Sequence, residues 1–200
     1  MSALAPDIDL KGALRAVGAE GAAFIPRALA PSFGRRLQHE VETGPFAPMP
    51  GQIGRVSQEV ESYVLRGTDI EAFPLISELL AELAGAVRRA GKGVEGLSSY
   101  APNHLMVHRY RPGSIGITPH LDGKRFVQLV ATFTTKGTAK TALCRSRKGE
   151  VIREWDTKAG SLILLRGNGF AGRDDGRPFH SIGGPQRQGR YAVVLRMERG

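Results

Sequence analysis

Residues 105–135 read LMVHRYRPGSIGITPHLDGKRFVQLVATFTT, and the reading of this stretch decides the fold. Two β-rich runs, Leu105–Arg111 and Phe126–Thr135, flank a short extended piece that carries His120 and Asp122. Arg111-Pro112-Gly113 supplies a turn between them. The rhythm continues outward in Lys140–Arg145, Val151–Asp156, Ser161–Arg166 and Arg190–Met197, with His180 in a further short extended piece. Arg147-Lys148-Gly149, Lys158-Ala159-Gly160 and Asp175-Gly176 punctuate these runs. About eight short strands at regular spacing predict a sandwich or jelly roll.

Toward the N-terminus the periodicity changes. Ala22–Pro26 reads as a short strand. Pro31–Thr43 reads as a helix, with Phe33, Leu37 and Val41 on one stripe and Gly44 after its end. Gly44–Gly54 holds three prolines and three glycines and is expected to be a loop suited to a lid. Pro74–Ala90 carries Leu75, Leu79, Leu83, Ala86 and Val87 on one face, the pattern of a core-facing helix. Helices first and strands later predict an α+β protein whose helices support one sheet.

The composition bounds the function classes. With 200 residues, 41% of them hydrophobic and 24% charged, the chain can bury a core and is expected to form one domain over 1–200. The division anticipated is helical support and lid over 1–100, with a jelly-roll core over 101–200. Apolar runs such as Leu162–Leu165 are far too short to span a bilayer, so no membrane partner is expected. Met1–Leu10 does not read as a signal peptide. The single cysteine, Cys144, excludes an intramolecular disulfide and a multi-cysteine zinc site, and fits a cytoplasmic location. Charge divides unevenly: residues 1–100 hold 10 basic and 12 acidic side chains, residues 101–200 hold 18 and 7. A basic C-terminal half suits an anionic partner.

The chemistry-bearing constellation centres on Thr118-Pro119-His120-Leu121-Asp122. On an extended strand, positions i and i+2 share a face. His120 and Asp122 would therefore aim an imidazole and a carboxylate into one cavity, with His180 the natural third ligand. Two histidines and one carboxylate form the facial triad of non-haem Fe(II) oxygenases. Arg190 and Arg196 lie an even number of residues apart on an apolar strand, so both face one way, and inward guanidinium groups need anions. His108 and Tyr110 are likewise two apart and can add hydrogen bonds. Of the remaining histidines, His39 reads as solvated and His104 as a supporting or loop residue. Cys144 reads as core, and Asp174-Asp175 as loop.

Four segments together resemble the Fe(II)/2-oxoglutarate-dependent dioxygenases, in particular the AlkB-like branch. They are Met106-Val107-His108-Arg109-Tyr110-Arg111-Pro112-Gly113, His120-x-Asp122, Phe179-His180-Ser181-Ile182 and Arg190-x5-Arg196. The resemblance implies a double-stranded β-helix (jelly roll) with supporting N-terminal helices. It implies Fe(II) held by His120, Asp122 and His180, with 2-oxoglutarate as cosubstrate and O2 as oxidant. Arg190 would pair with the far carboxylate of 2-oxoglutarate, a task suited to a fork-shaped cation. Arg196 and His108 would contact its iron-side end, and Tyr110 would hydrogen-bond it. The reaction would be hydroxylation or oxidative demethylation, with release of succinate and CO2.

Three positions depart from AlkB repair enzymes. Ala192 and His108 stand where asparagine is usual, and Lys124 stands where bacterial AlkB has an acid. Lys124 and Arg125 are candidates for a substrate carboxylate or phosphate. The expected substrate is thus an anionic small molecule, amino acid or protein side chain, with alkylated nucleic acid as the alternative. A basic jelly roll that binds nucleic acid without catalysis is the competitor from another class, marked by salt-dependent affinity and no need for metal. A metal hydrolase would use the triad but gives Arg190 and Arg196 no role.

Overall fold

The computed structural model describes residues 2–199. In chain order the elements are α1 (Leu10–Glu20), β1 (Ala22–Ile25), α2 (Pro31–Glu42), β2 (Ala47–Pro48), β3 (Gln52–Ile53), β4 (Val56–Ser57), β5 (Glu61–Arg66) and α3 (Pro74–Ala90). They continue with β6 (His104–Tyr110), β7 (Gly116–His120), β8 (Phe126–Lys136), β9 (Thr138–Cys144), β10 (Val151–Lys158), β11 (Leu162–Arg166), β12 (Phe179–Gly183) and β13 (Arg190–Glu198). A seven-stranded sheet runs β1-β11-β8-β13-β6-β5-β2, and a four-stranded sheet runs β10-β9-β12-β7. The short hairpin β3–β4 sits beside β7, where Ser57 N–H donates to Thr118 Oγ1 at 2.9 Å.

Alternation along the strands separates two cores. Leu129, Ala131 and Phe133 of β8, Leu162 and Leu164 of β11, and Val193 and Leu195 of β13 face the helices. They pack with Phe33, Leu37 and Val41 of α2 and Ile76, Leu79, Leu83 and Val87 of α3. The intervening residues Val130, Ile163, Leu165 and Val194 face the four-stranded sheet. A one-residue slip in any of these strands would exchange the two faces, so burial fixes the register. The jelly-roll and α+β expectations agree with this architecture.

Several local expectations are revised. The glycine- and alanine-rich α1 was not predicted, although Asp9 caps it through Gly12 N–H and Gly21 ends it in the left-handed region at φ 91°. Strand β5 was also not predicted. With β1 and β2 it extends the seven-stranded sheet, so the N-terminal half does more than support it with helices. The 44–54 segment is not wholly loop, since β2 and β3 lie within it. Gly116, at φ 78°, passes so close to β12 that a Cβ there would lie 2.0 Å from Ile182 O.

At the open side of the sandwich the edge strands β1 and β10 face each other. Phe24 and Trp155 bridge them with ring centroids 6.3 Å apart, and the Arg153 guanidinium lies 5.7 Å from the Trp155 ring centroid.

Candidate active site

Between the two sheets lies a cavity lined at one end by His120, Asp122, His180 and Arg196, and at the other by Arg190, Tyr110, Ile117, Thr141 and Ile182. Antiparallel pairing sets His180 of β12 directly opposite His120 of β7, and their ring centroids are 4.2 Å apart. Asp122 lies just beyond the end of β7 rather than on the strand, yet its buried carboxylate still turns inward. His180 Nε2 is 3.6 Å from Asp122 Oδ2, and Arg196 Nη2 is 3.0 Å from Asp122 Oδ1.

The two imidazoles are oriented alike. His120 Nδ1 lies 2.9 Å from Thr118 O, and His180 Nδ1 lies 3.2 Å from Pro178 O. A carbonyl only accepts, so each Nδ1 carries a proton, and in the neutral tautomer that this selects, Nε2 holds the lone pair. Burial, then His180, lowers the His120 pKa to about 4, which keeps that ring neutral. Among the described residues no group of three or more His, Cys, Asp or Glu side chains stands in finished metal-binding geometry. Asp122 spends one oxygen on Arg196 instead. The donor set nevertheless suits a divalent ion: two Nε2 lone pairs and one buried carboxylate border the same cavity.

The far end presents the opposite charge. Arg190 is 1% exposed. Its Nη2 donates to Thr134 Oγ1 at 2.9 Å and its guanidinium lies 5.3 Å from the Tyr110 ring centroid, while Nε and Nη1 are buried with no hydrogen-bond acceptor among the described residues. Two unpaired donors on a buried cation are costly unless an anion meets them. His108 and Tyr110 line the wall between the two ends, with His108 Nδ1 3.1 Å from Tyr110 Oη and His108 Nε2 buried without a partner among the described residues. The cavity thus brings together all three predicted metal ligands and all four predicted cosubstrate residues.

Lys124 and Arg125 fall outside it. β7 ends at His120, so the alternation that would aim Lys124 inward is broken. Lys124 is 73% exposed with its Nζ 3.8 Å from Asp175, and Arg125 pairs with Glu198 at 3.1 Å over the Phe126 ring. The surface around the metal end is nevertheless cationic. Segments 121–125, 145–150 and 166–178 together carry eight basic and four acidic residues. Arg147 lies over the ring of Phe179, next to His180. His104 is a buried strand residue 4.9 Å from the Phe126 ring.

Burial, then Arg196 and Arg190, lowers the His108 pKa to about 3, against the opposing pull of Asp122; His120 and Tyr110 also border it. Burial, then Arg196 and Arg66, lowers His104 to about 4. Both rings stay neutral in the fold, whereas the unfolded chain protonates them near pH 6.5. The unfolded state therefore binds more protons, and stability falls as pH drops from about 6.5 toward 4. Urea unfolding across that range is expected to show this fall, and His108→Asn to make it shallower. A midpoint independent of pH would contradict the neutral-histidine assignment.

No family model matches the chain, and no curated protein does. Solved structures do. A 2OG-Fe(II) oxygenase-family oxidoreductase from Burkholderia pseudomallei superposes with TM-score 0.68 at 12% identity, covering 97% of this chain and 93% of that one. A Pseudomonas putida prolyl-4-hydroxylase gives TM-score 0.66 at 17% identity, covering 94% and 98%. OsALKBH1 gives TM-score 0.62 at 12% identity, covering 89% and 97%. With two antiparallel sheets closed around a cavity and helices behind the larger one, the chain has the double-stranded β-helix fold of the 2OG-Fe(II) oxygenases.

Proposed function

We propose that this protein is an Fe(II)/2-oxoglutarate-dependent oxygenase, with residues 1–200 acting as one catalytic unit. The observation that carries the reading is Arg190. It is a wholly buried cation with two donors that meet no acceptor among the described residues, in the same cavity as His120, His180 and the Asp122 carboxylate. In this reading His120, Asp122 and His180 hold Fe(II), and Arg190 holds the far carboxylate of 2-oxoglutarate. Iron and cosubstrate, when bound, supply the activation of O2 for oxidation of a C–H bond, with release of succinate and CO2. The chain's own part is positional. Thr118 O and Pro178 O fix the histidine tautomers, and Arg196 orients Asp122. His108 and Tyr110 offer hydrogen bonds from the wall. Ile117, Val130, Ile163, Leu165, Ile182 and Val194 keep bulk water out.

For substrate, the reading favours an anionic small molecule, amino acid or protein side chain. The cationic surface at the metal end supports it. Base stacking has little to use in the lid region: Phe46 is engaged with Tyr63 at 4.9 Å and Tyr191 at 5.7 Å, and Tyr63 is buried. The test is anaerobic loading with Fe(II) and 2-oxoglutarate, addition of O2 with a panel of anionic substrates, and mass spectrometry for succinate and a product heavier by one oxygen. Methylated oligonucleotides run in parallel are expected to release no formaldehyde. Stoichiometric formaldehyde would establish nucleic-acid demethylation instead. Tight, salt-dependent nucleic-acid binding without succinate would favour the non-catalytic alternative.

A further inference from the structure

We infer that Arg177 is a positioning residue for the metal site, strapping together the two chain segments that carry its ligands. The inference rests on the reading of His120, Asp122 and His180 as ligands. Those residues come from two segments, β7 with the residues just after it and β12, separated in sequence by β8 to β11, and a facial set needs the two held in fixed register. Hydrogen-bond pairing of β7 with β12 supplies this only up to His120, because β7 ends there. Asp122 therefore lies in irregular backbone with no ladder partner among the described residues.

Arg177, three residues before His180, fills that gap. Its Nη1 donates to the main-chain oxygen of Asp122. Its Nε and Nη2 form a fork onto the Asp175 carboxylate, 2.7 Å to Oδ1 and 2.7 Å to Oδ2. The side chain is 8% exposed. A planar fork that satisfies one carboxylate while its third nitrogen reaches a carbonyl is geometry a lysine cannot copy. Asp175 is itself anchored. It sits at φ 48°, its N–H donates to Asn168 Oδ1 at 3.2 Å, and Asn168 Nδ2 donates to Lys124 O at 3.1 Å. The 168–177 loop is thus joined to the segment that follows β7 at the main-chain oxygens of Asp122 and Lys124. Pro178, whose carbonyl fixes the His180 tautomer, directly follows Arg177. One guanidinium therefore links the backbone of one ligand to the segment that orients another.

Groups that orient metal ligands typically change metal affinity about 10–100-fold when removed. The experiment is titration of the purified full-length protein with Mn(II) in the presence of 2-oxoglutarate, read by calorimetry, with the visible spectrum of the Co(II) form as a geometric readout. Arg177→Ala is expected to weaken Mn(II) binding by about tenfold or more and to alter the Co(II) spectrum, with Arg177→Lys intermediate. A merely structural role would lower Tm while leaving the affinity of the folded protein unchanged. Should Arg177→Ala not fold, Asp175→Asn keeps the guanidinium but loosens its fork, and a smaller weakening in the same direction is expected. Wild-type binding of one ion, with Mn(II) affinity within twofold in both Arg177→Ala and Asp175→Asn, or in Asp175→Asn alone when Arg177→Ala does not fold, overturns the inference alone. Equal Mn(II) binding by wild type and Asp122→Ala would overturn the ligand reading, and this inference with it.

Discussion

Asp122→Ala is expected to abolish succinate formation, because it removes the only carboxylate among the three ligands and leaves Arg196 without its buried partner. The second effect has its own size. Breaking a buried ion pair from one side typically costs about 3–5 kcal/mol, and Arg196 Nη2 lies 3.0 Å from the carboxylate it would lose. Stability must therefore be measured alongside activity. Asp122→Asn separates the two consequences: its amide oxygen still accepts from Arg196, while the anionic ligand is gone. Metal content, succinate yield and urea midpoint together decide the matter. Normal turnover of 2-oxoglutarate in a folded Asp122→Asn or Asp122→Ala protein would remove Asp122 from the site.

Arg190→Ala is expected to weaken 2-oxoglutarate binding by about 2–5 kcal/mol, roughly 30-fold or more in affinity. The loss is large because the cosubstrate carboxylate would enter a buried place with no cation to meet it. Arg190→Lys should recover part of the affinity, since a point charge reaches the same region without the fork. Folding is expected to tolerate the alanine variant better than Asp122→Ala. Arg190 has Thr134 and the Tyr110 side chain beside it but no carboxylate partner among the described residues, so its removal relieves a desolvated charge rather than breaking an ion pair. An unchanged 2-oxoglutarate titration would shift the role to Arg196.

What the sequence made legible was what local spacing encodes. His108, Tyr110, His120, Arg190 and Arg196 were readable as inward-facing from strand periodicity. Asp122 was read by the same alternation although it lies past the strand's end, and His180 was picked as the remaining histidine in an extended piece, yet all seven line one cavity. Helix α3 was readable for the same reason, its leucine stripe leaving little choice of structure. Helix α1 was not, since Gly12 and Gly18 lower its propensity and its apolar stripe is short. Asp9 before it and Gly21 after it were the signals that bounded it. Strand β5 was missed because six residues with a charge at each end, Glu61 and Arg66, look like a loop until β6 is placed beside them and Glu61 is buried against Arg109 and Arg111. Lys124, two residues after Asp122, would share its face on a continuing strand, but the strand stops four residues earlier, a boundary no alternation pattern announces. Arg177 was invisible for a different reason. Asp174-Asp175-Gly176-Arg177 has the composition of a solvated turn, and only the folding of that turn against Asp122 gives the arginine a task.

The Phe24–Trp155 bridge gives this protein a built-in optical gauge. Trp155 is the only tryptophan in the chain, so its emission needs no deconvolution. It sits on the free edge of the smaller sheet against a phenylalanine from the free edge of the larger one. Its spectrum therefore reads the seam between the edges of the two sheets. Emission that shifts to the red before far-ultraviolet dichroism is lost would mark the seam parting while both sheets persist. Coincident transitions would mark a barrel that opens only as a whole.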